Sequence, residues 1–206
     1  DVERSRGLGD VYKRQVQAFT ILRKKYLWSA ELYLAGAKES DIRDALRERQ
    51  IRVEEVDWQK IHLLGDLGSE KLTDYYNLCD VFCMPSYFEA YGLVFAEALT
   101  YGLPCIGRDK FAMSEFIEDG CTGRLISGED AEELALDLWE VLQDPKYREE
   151  VERRREWYLR EYSWDKVAQR ICSVMEKNER DKDQYRSAGV SVSYTHLRAH
   201  ETSLHL

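Results

Sequence analysis

Two hydrophobic periods alternate along most of this chain. Short apolar runs at 31–35, 60–64, 81–84, 104–107 and 123–126 have the length and residue types of buried strands. Between and before them, apolar residues at three- and four-residue spacing predict helices over 19–26, 41–50, 70–78, 93–101 and 114–118. Strand and helix therefore alternate, which predicts an α/β fold: a Rossmann-like parallel sheet with helices on both faces. The C-terminal third changes character. Residues 131–143 carry Leu134, Leu138, Val141 and Leu142 at helical spacing and stop at Asp144-Pro145. The run YREEVERRREWYLRE follows, in which Glu149 to Arg153, Glu150 to Arg154 and Glu156 to Arg160 are expected to pair along a solvated helix face. Ser163 then caps a last helix with Val167, Ile171, Val174 and Met175 on one side.

One strand–loop–helix unit carries candidate chemistry. After the apolar run 81–84, Pro85 and Ser86 break the pattern, and Gly92 frees the backbone just before the helix that begins at Leu93. The first amides of a helix have no internal partners and carry the positive end of its dipole, so the N–H groups of Gly92 and Leu93 can receive a diphosphate. Glu97 lies about 7 Å further along the axis, within reach of a sugar attached to that diphosphate. Its neighbours Val94, Phe95, Ala96, Ala98, Leu99 and Leu103 leave little polar face, so the helix is expected to be buried nearly all round and Glu97 to need a partner.

These residues resemble a known family. Pro85, Ser86, Glu89, Tyr91, Gly92, Leu93, Glu97, Ala98, Gly102, Leu103 and Pro104 look like the E-x7-E signature of the retaining, group 1 glycosyltransferases with the two-domain GT-B fold. The similarity runs over about 16–175, through IHLLGDLGSEKLTDYYNLCDVF, SEFIEDGCTGRLI, DAEELALDLWEVLQDP and EYSWDKVAQRI. The resemblance implies the C-terminal, nucleotide-sugar-binding half of such a fold, incomplete at its N-terminus. It implies that Glu97 binds the nucleotide ribose, that Gly92 and Leu93 meet the diphosphate, that Tyr91 helps hold the donor, and that Glu89 sits beside the transferred sugar as the candidate catalytic residue. Leu67, in the loop 65–68, is expected over the base. One departure stands out. Where many relatives have Gly-Gly-x-Pro-Glu, this chain reads Phe111, Ala112, Met113, Ser114 and Glu115, which loses the glycines and keeps the glutamate.

Both ends read as translated sequencing adaptor. Residues 5–15, SRGLGDVYKRQ, are the translation of a common transposase-type adaptor, and 192–202, VSYTHLRAHET, that of its reverse complement. The expected organisation is thus adaptor-derived 1–15, a donor-binding domain over 16–180, a charged tail at 181–191 and adaptor-derived 192–206. Neither end shows apolar periodicity, so neither is expected to join the core. His196 and His200 fall inside the adaptor and His205 beyond it, leaving His62, which is expected in a strand and excludes a histidine metal cluster.

Charge and cysteine usage narrow the picture further. The net charge of -9 argues against nucleic acid as a partner. The five cysteines lack paired metal spacing and fit reduced thiols in a cytoplasm. Asp181-Lys182-Asp183 is formally a metal-binding D-x-D, but without an adjoining strand it is not expected to hold a metal. No cofactor is expected; a nucleotide-diphosphate sugar serves as donor substrate. The expected partners are that sugar nucleotide and an acceptor domain preceding residue 16, with peripheral contact at the inner face of a membrane through the full-length enzyme. The alternatives are an inactive nucleotide-binding or scaffolding module and a GT-B-like epimerase.

Overall fold

The computed structural model describes residues 2–48, 56–89 and 91–187, with side chains placed for 11–47, 56–89 and 91–177. The chain divides into two compact units, Asp1–Arg160 and Glu161–Leu206. In the first, α1 (Val2–Lys25) leads to β1 (Leu32–Ala35), α2 (Glu39–Glu48), β2 (Ile61–Gly65), α3 (Ser69–Leu78), β3 (Phe82–Cys83), α4 (Leu93–Thr100), β4 (Cys105–Arg108), α5 (Met113–Phe116), β5 (Gly123–Ile126), α6 (Ala131–Gln143) and α7 (Lys146–Glu161). The alternation expected from the two periods is present, and every strand pair is parallel.

The sheet, however, is not continuous. β1 pairs with β2, and β3, β4 and β5 form a separate three-stranded ladder. The helix α1 serves both parts. Its Val16 and Phe19 enter a core with Leu34, Ile42, Leu46 and Ile61 beside the first sheet. Its Ala18 and Leu22 join Ile106, Ile126, Leu134 and Leu138 beside the second. Successive helical residues point in different directions, so one helix fills two cores.

Two expectations are corrected here. Residues 11–15 do pack: Val11 is 5% exposed, Lys13 9% and Arg14 4%. Once Val16, Phe19 and Leu22 anchor the helix, each residue added at its N-terminus gains a hydrogen bond at little entropic cost, and the helical period carries 11 and 15 onto the buried face. The polar heads suffer for it, since Arg14 Nη1 and Gln15 Oε1 are buried without a hydrogen-bond partner. The solvated face expected of α7 also does more than pair with itself. Arg154 joins Glu150 at 2.8 Å as expected but also donates to Glu118 at 2.5 Å, and Arg155 donates to the Thr100 carbonyl at 2.8 Å. Arg153 pairs with Glu150 rather than with Glu149.

The second unit holds α8 (Trp164–Ser187), whose first turn is capped by the Ser163 hydroxyl accepting from the Lys166 amide at 3.2 Å. The stripe read from the sequence is present, and Ile171, Val174 and Met175 are all exposed. Residues 181–183 continue this helix. No helix among the described residues is long and apolar enough to cross a membrane.

At the entry to the first sheet, Glu31 accepts from Lys60 Nζ at 2.7 Å and lies 2.9 Å from His62 Nε2, and His62 stacks on Tyr33 of β1. The hydrogen bond from Lys60, followed by that from His62, lowers the Glu31 carboxyl from its ordinary 4.5 to about 2. A carboxylate whose value is lowered on folding stabilises the native state above its unfolded value and loses that effect as pH falls through the folded one. Glu31→Gln is therefore expected to lower the thermal midpoint at neutral pH, with the gap from wild type closing between pH 4.5 and about 2. Unfolding scans of both proteins across that range check it; a gap independent of pH would contradict it.

Candidate functional site

The loop between β3 and α4 is held by three local constraints. Ser86 is buried, with its amide donating to the Met84 carbonyl at 2.8 Å. Gly92 adopts φ +67° as the residue before α4, a conformation that costs side-chain-bearing residues about 1 to 3 kcal/mol. A Cβ at Gly92 would also lie 2.8 Å from the Phe116 ring, so glycine is required on steric grounds as well. The chain can therefore turn into α4 only here.

The turn presents donors, and two of them are already engaged. Glu89 Oε1 accepts from the amides of Gly92 at 3.0 Å and Tyr91 at 3.3 Å. The Gly92 amide expected to be open for a diphosphate is thus occupied by a carboxylate of the same loop. The next two amides, of Leu93 and Val94, sit at the first helical positions, where geometry provides no intrahelical acceptor. Leu93 is 64% exposed and Tyr91 77%.

Glu97 departs from expectation in its surroundings. Phe95, Ala96, Ala98 and Leu99 are buried, whereas Leu93 and Glu97, one turn apart, are both exposed. The helix thus keeps one open stripe instead of being buried all round, because positions four apart share a face. Glu97 does have a partner, which the sequence did not reveal. Tyr76 of α3 donates its hydroxyl to Glu97 Oε2 at 3.3 Å and stacks on Tyr101 at 5.1 Å. Burial and then the Glu97 charge raise the Tyr76 phenol above its ordinary range, so it remains a donor throughout the physiological pH range. The two residues lie 21 positions apart in the chain, and no local pattern links them. Glu89, Tyr91, Gly92, Leu93 and Glu97 are brought together on one loop and helix. Leu67 is half-buried beyond the carboxyl end of β2, in the other sheet.

The strand ends nearby supply groups that sequence reading missed. Tyr87 lies against the guanidinium groups of Arg108 and Arg14, at 4.5 and 5.1 Å from the ring centroid. Glu129 faces both arginines, and its carboxyl lies below the usual range chiefly through a hydrogen bond from Tyr87. Arg108 is buried at the end of β4, with Nη2 donating to the Gly128 carbonyl at 3.0 Å. This cluster braces the base of the loop. Beside it, Phe88 and Phe111 meet edge to face at 5.1 Å, both exposed. Phe111 has φ +56°, the left-handed conformation that glycine takes readily. A side-chain-bearing residue thus takes a conformation here that glycine adopts at little cost.

Among the described residues no group of histidine, cysteine and acidic side chains could hold a metal ion. All five cysteines are free thiols, Cys105 buried and Cys172 exposed.

A parallel α/β domain with its glycine turn and open helix amides beyond the carboxyl end of a strand has the architecture of the class in which ligands bind at strand carboxyl ends. More particularly, residues 11–158 match the family described as glycosyl transferases group 1, and the chain belongs to it. It is 32% identical over 98 residues to a D-inositol 3-phosphate glycosyltransferase of Kribbella flavida, covering 48% of this chain and 23% of that one. Over 81 residues it is 36% identical to an uncharacterized 41.2 kDa protein in the cps region of Klebsiella pneumoniae, covering 39% of this chain and 23% of the relative. Among solved structures, a pneumococcal O-GlcNAc transferase in complex with UDP and GlcNAc superposes with a TM-score of 0.60 at 25% identity, over 79% of this chain and 33% of that one. Sucrose-phosphate synthase from Thermosynechococcus elongatus gives 0.67 at 23% identity, over 84% and 43%, and supports the fold. The neighbours are GT-B glycosyltransferases. The chain spans about a quarter of the length of the curated relatives it matches.

Gly92→Ala is expected to destabilise the protein by about 2 to 4 kcal/mol, combining a left-handed backbone with overpacking against Phe116. Gly65 provides the control. It has φ +61° but nothing within 4 Å of its added Cβ, so Gly65→Ala should cost only the conformational part, about 1 kcal/mol or slightly more. Denaturant unfolding of both variants measures the difference; equal losses would remove the packing role given to Phe116.

Proposed function

We propose that this chain is the donor-binding half of a retaining, metal-independent glycosyltransferase. The observation that carries the reading is the exposed stripe of α4, where the open amides of Leu93 and Val94 and the carboxylate of Glu97 lie on one side of a turn that only glycine can make. In this reading the diphosphate of a nucleotide sugar sits at the helix N-terminus and Glu97 accepts hydrogen bonds from two ribose hydroxyls. Tyr76 orients that carboxylate, Tyr91 flanks the donor, and Leu67 comes over the base. As the glycosidic bond breaks, negative charge grows on the departing diphosphate, so amides already aimed there stabilise the transition state more than the ground state. The family supports sugar transfer; the donor base, the sugar and the acceptor are left open by it.

Glu89 has a two-position role in this reading. Without donor its carboxylate fills the Gly92 amide, acting as an internal anion. An arriving diphosphate takes that amide and releases Glu89 toward the hydroxyls of the donor sugar.

Calorimetry with UDP, GDP and ADP and their sugar nucleotides tests these assignments. Glu97→Gln is expected to weaken nucleoside diphosphate binding about tenfold or more, as losing hydrogen bonds to a charged group costs about 1.5 to 3 kcal/mol. Wild-type affinity in that variant would remove the ribose role. Glu89→Gln is expected to leave bare diphosphate binding unchanged or tighter while weakening the sugar nucleotide, because the competing anion and the sugar contact are lost together. Equal weakening of both ligands would contradict the displacement.

The 206-residue chain alone is expected to bind donor but transfer no sugar, since an acceptor wall is needed on the other side of the site. Turnover above a heat-treated control, with any of the donors that bind, would overturn that division of labour.

A further inference from the structure

Beside Glu89 stand two phenylalanine rings that are left largely in water. Phe88 is 69% exposed and Phe111 53%, and they meet edge to face with centroids 5.1 Å apart and planes 66° apart. A single exposed apolar side chain is ordinary on a protein surface. Here there are two in contact, and one of them stands on a costly backbone. Phe111 has φ +56°, a left-handed conformation uncommon for a bulky residue and retained only where the surroundings impose it. Burial of its ring returns little, since more than half of the residue faces solvent. Neither packing nor backbone preference accounts for phenylalanine at this position.

The placement of the pair suggests its use. Phe88 immediately precedes Glu89 in the loop leaving β3, and Phe111 lies in the loop leaving β4. Its neighbour Ala112 has its Cβ 3.4 Å from where a Cβ on Gly92 would stand, so both rings belong to the surroundings of the Gly92 turn, beyond the carboxyl ends of adjacent parallel strands. The loop itself does not call for the ring at 111. The Phe111 carbonyl accepts from the Ser114 hydroxyl at 3.1 Å, a bond that any residue there can make. Tyr87 differs in this respect, because its ring is engaged by the guanidinium groups of Arg108 and Arg14.

We propose that Phe88 and Phe111 form an aromatic platform for the C–H face of the donor's pyranose ring and so select the sugar; the inference rests on the donor-binding reading above. A pyranose carries hydroxyls around its rim and C–H bonds on its faces. It is therefore matched by a carboxylate at the edge and an aromatic face beneath, whose negative π-cloud attracts the C–H hydrogens. Glu89 and the two rings supply that combination within one loop and its neighbour. In the donor-binding reading the ribose lies one turn along α4 at Glu97, which leaves the glycosyl unit on the side of Glu89 and the rings. A nucleobase can stack on an aromatic ring as well. The base is present in a bare nucleoside diphosphate, so the two uses separate by experiment.

The test is calorimetry on the full chain with UDP, GDP and ADP, each beside its sugar nucleotides UDP-glucose, UDP-N-acetylglucosamine, GDP-mannose and ADP-glucose. For the pair that binds wild type, Phe88→Ala and Phe111→Gly are each expected to weaken the sugar nucleotide by about three- to tenfold while the bare diphosphate binds as before. Phe88→Tyr should keep the affinity, and Phe88→Leu, apolar but without a ring face, should lose it. Phe111→Gly is also expected to keep or raise the thermal midpoint, because glycine takes the left-handed conformation readily. A fall in that midpoint would make the ring a structural support and overturn the proposal. Unchanged sugar nucleotide affinity in the Ala and Gly variants overturns it too, as does equal weakening of both ligands, which would place the base or the loop's own geometry on the rings. In each of these outcomes wild type still binds the diphosphate, so the donor-binding reading stands; failure of wild type to bind any of the nucleotides would remove that reading and this inference together.

Discussion

Everything proposed for the site depends on the left-handed turn at Gly92. The residue is caught between two demands: the backbone must reverse to start α4, and the ring of Phe116 with Ala112 stands where a side chain would project. Because that turn is fixed, so is the rotation of the helix behind it. Phe95, Ala98 and Leu99 go into the core, with Phe95 edge to face against Phe82 of β3, and the opposite stripe of Leu93 and Glu97 is left open. A turn starting one residue earlier or later would rotate the helix by about 100° and carry the open stripe toward the core. The electrostatic properties of the site follow from a packing constraint.

The same reasoning reaches the N-terminal helix with a different outcome. Of the three buried polar side-chain atoms without a partner among the described residues, two belong to Arg14 and Gln15. Both occupy positions that the helical period turns inward, where leucine-sized apolar side chains would serve. Arg14 compensates in part by donating to the Tyr87 hydroxyl at 3.0 Å and lying near Glu129. Arg14 and Gln15 are thus poorly matched to the positions where the helix places them. Gly36 tells of the same crowding, since the Tyr12 hydroxyl stands 3.3 Å from where its Cβ would be.

Legibility in the sequence tracked locality. The strands at 123–126 and the helix at 131–143 were read to the residue, because each is bounded by turn or cap chemistry within a few positions: Asp130 accepts from the Glu132 amide at one end of α6, and Pro145 follows at the other. The loop and helix carrying Glu89, Gly92 and Glu97 were legible for the same reason. What escaped was long-range. Neither Tyr76 beneath Glu97, nor Arg108 beneath Tyr87, nor the split between the sheets leaves a periodic trace, since each depends on how elements distant in sequence are juxtaposed. The left-handed Phe111 was hidden differently. Its residue type argues against that conformation, and the surrounding loop imposes it nonetheless.

That imposition bears on how an anion could enter. The Glu89 carboxylate holds two amides at the mouth of α4, and charge-assisted bonds of this kind contribute about 1.5 to 3 kcal/mol each before desolvation is counted. A diphosphate brings more acceptor oxygens and more negative charge to the same dipole, and it can also reach the amides of Leu93 and Val94, which the Glu89 side chain does not satisfy. Glu89 is only half-buried, so its carboxylate can return toward water without the cost of stranding a buried charge. In the proposed reading the balance therefore favours exchange of one anion for the other. Phe88 and Phe111 meet edge to face, exposed on the flank of the loop. In the proposed reading that exchange falls to the Glu89 side chain, with the Gly92 turn unmoved.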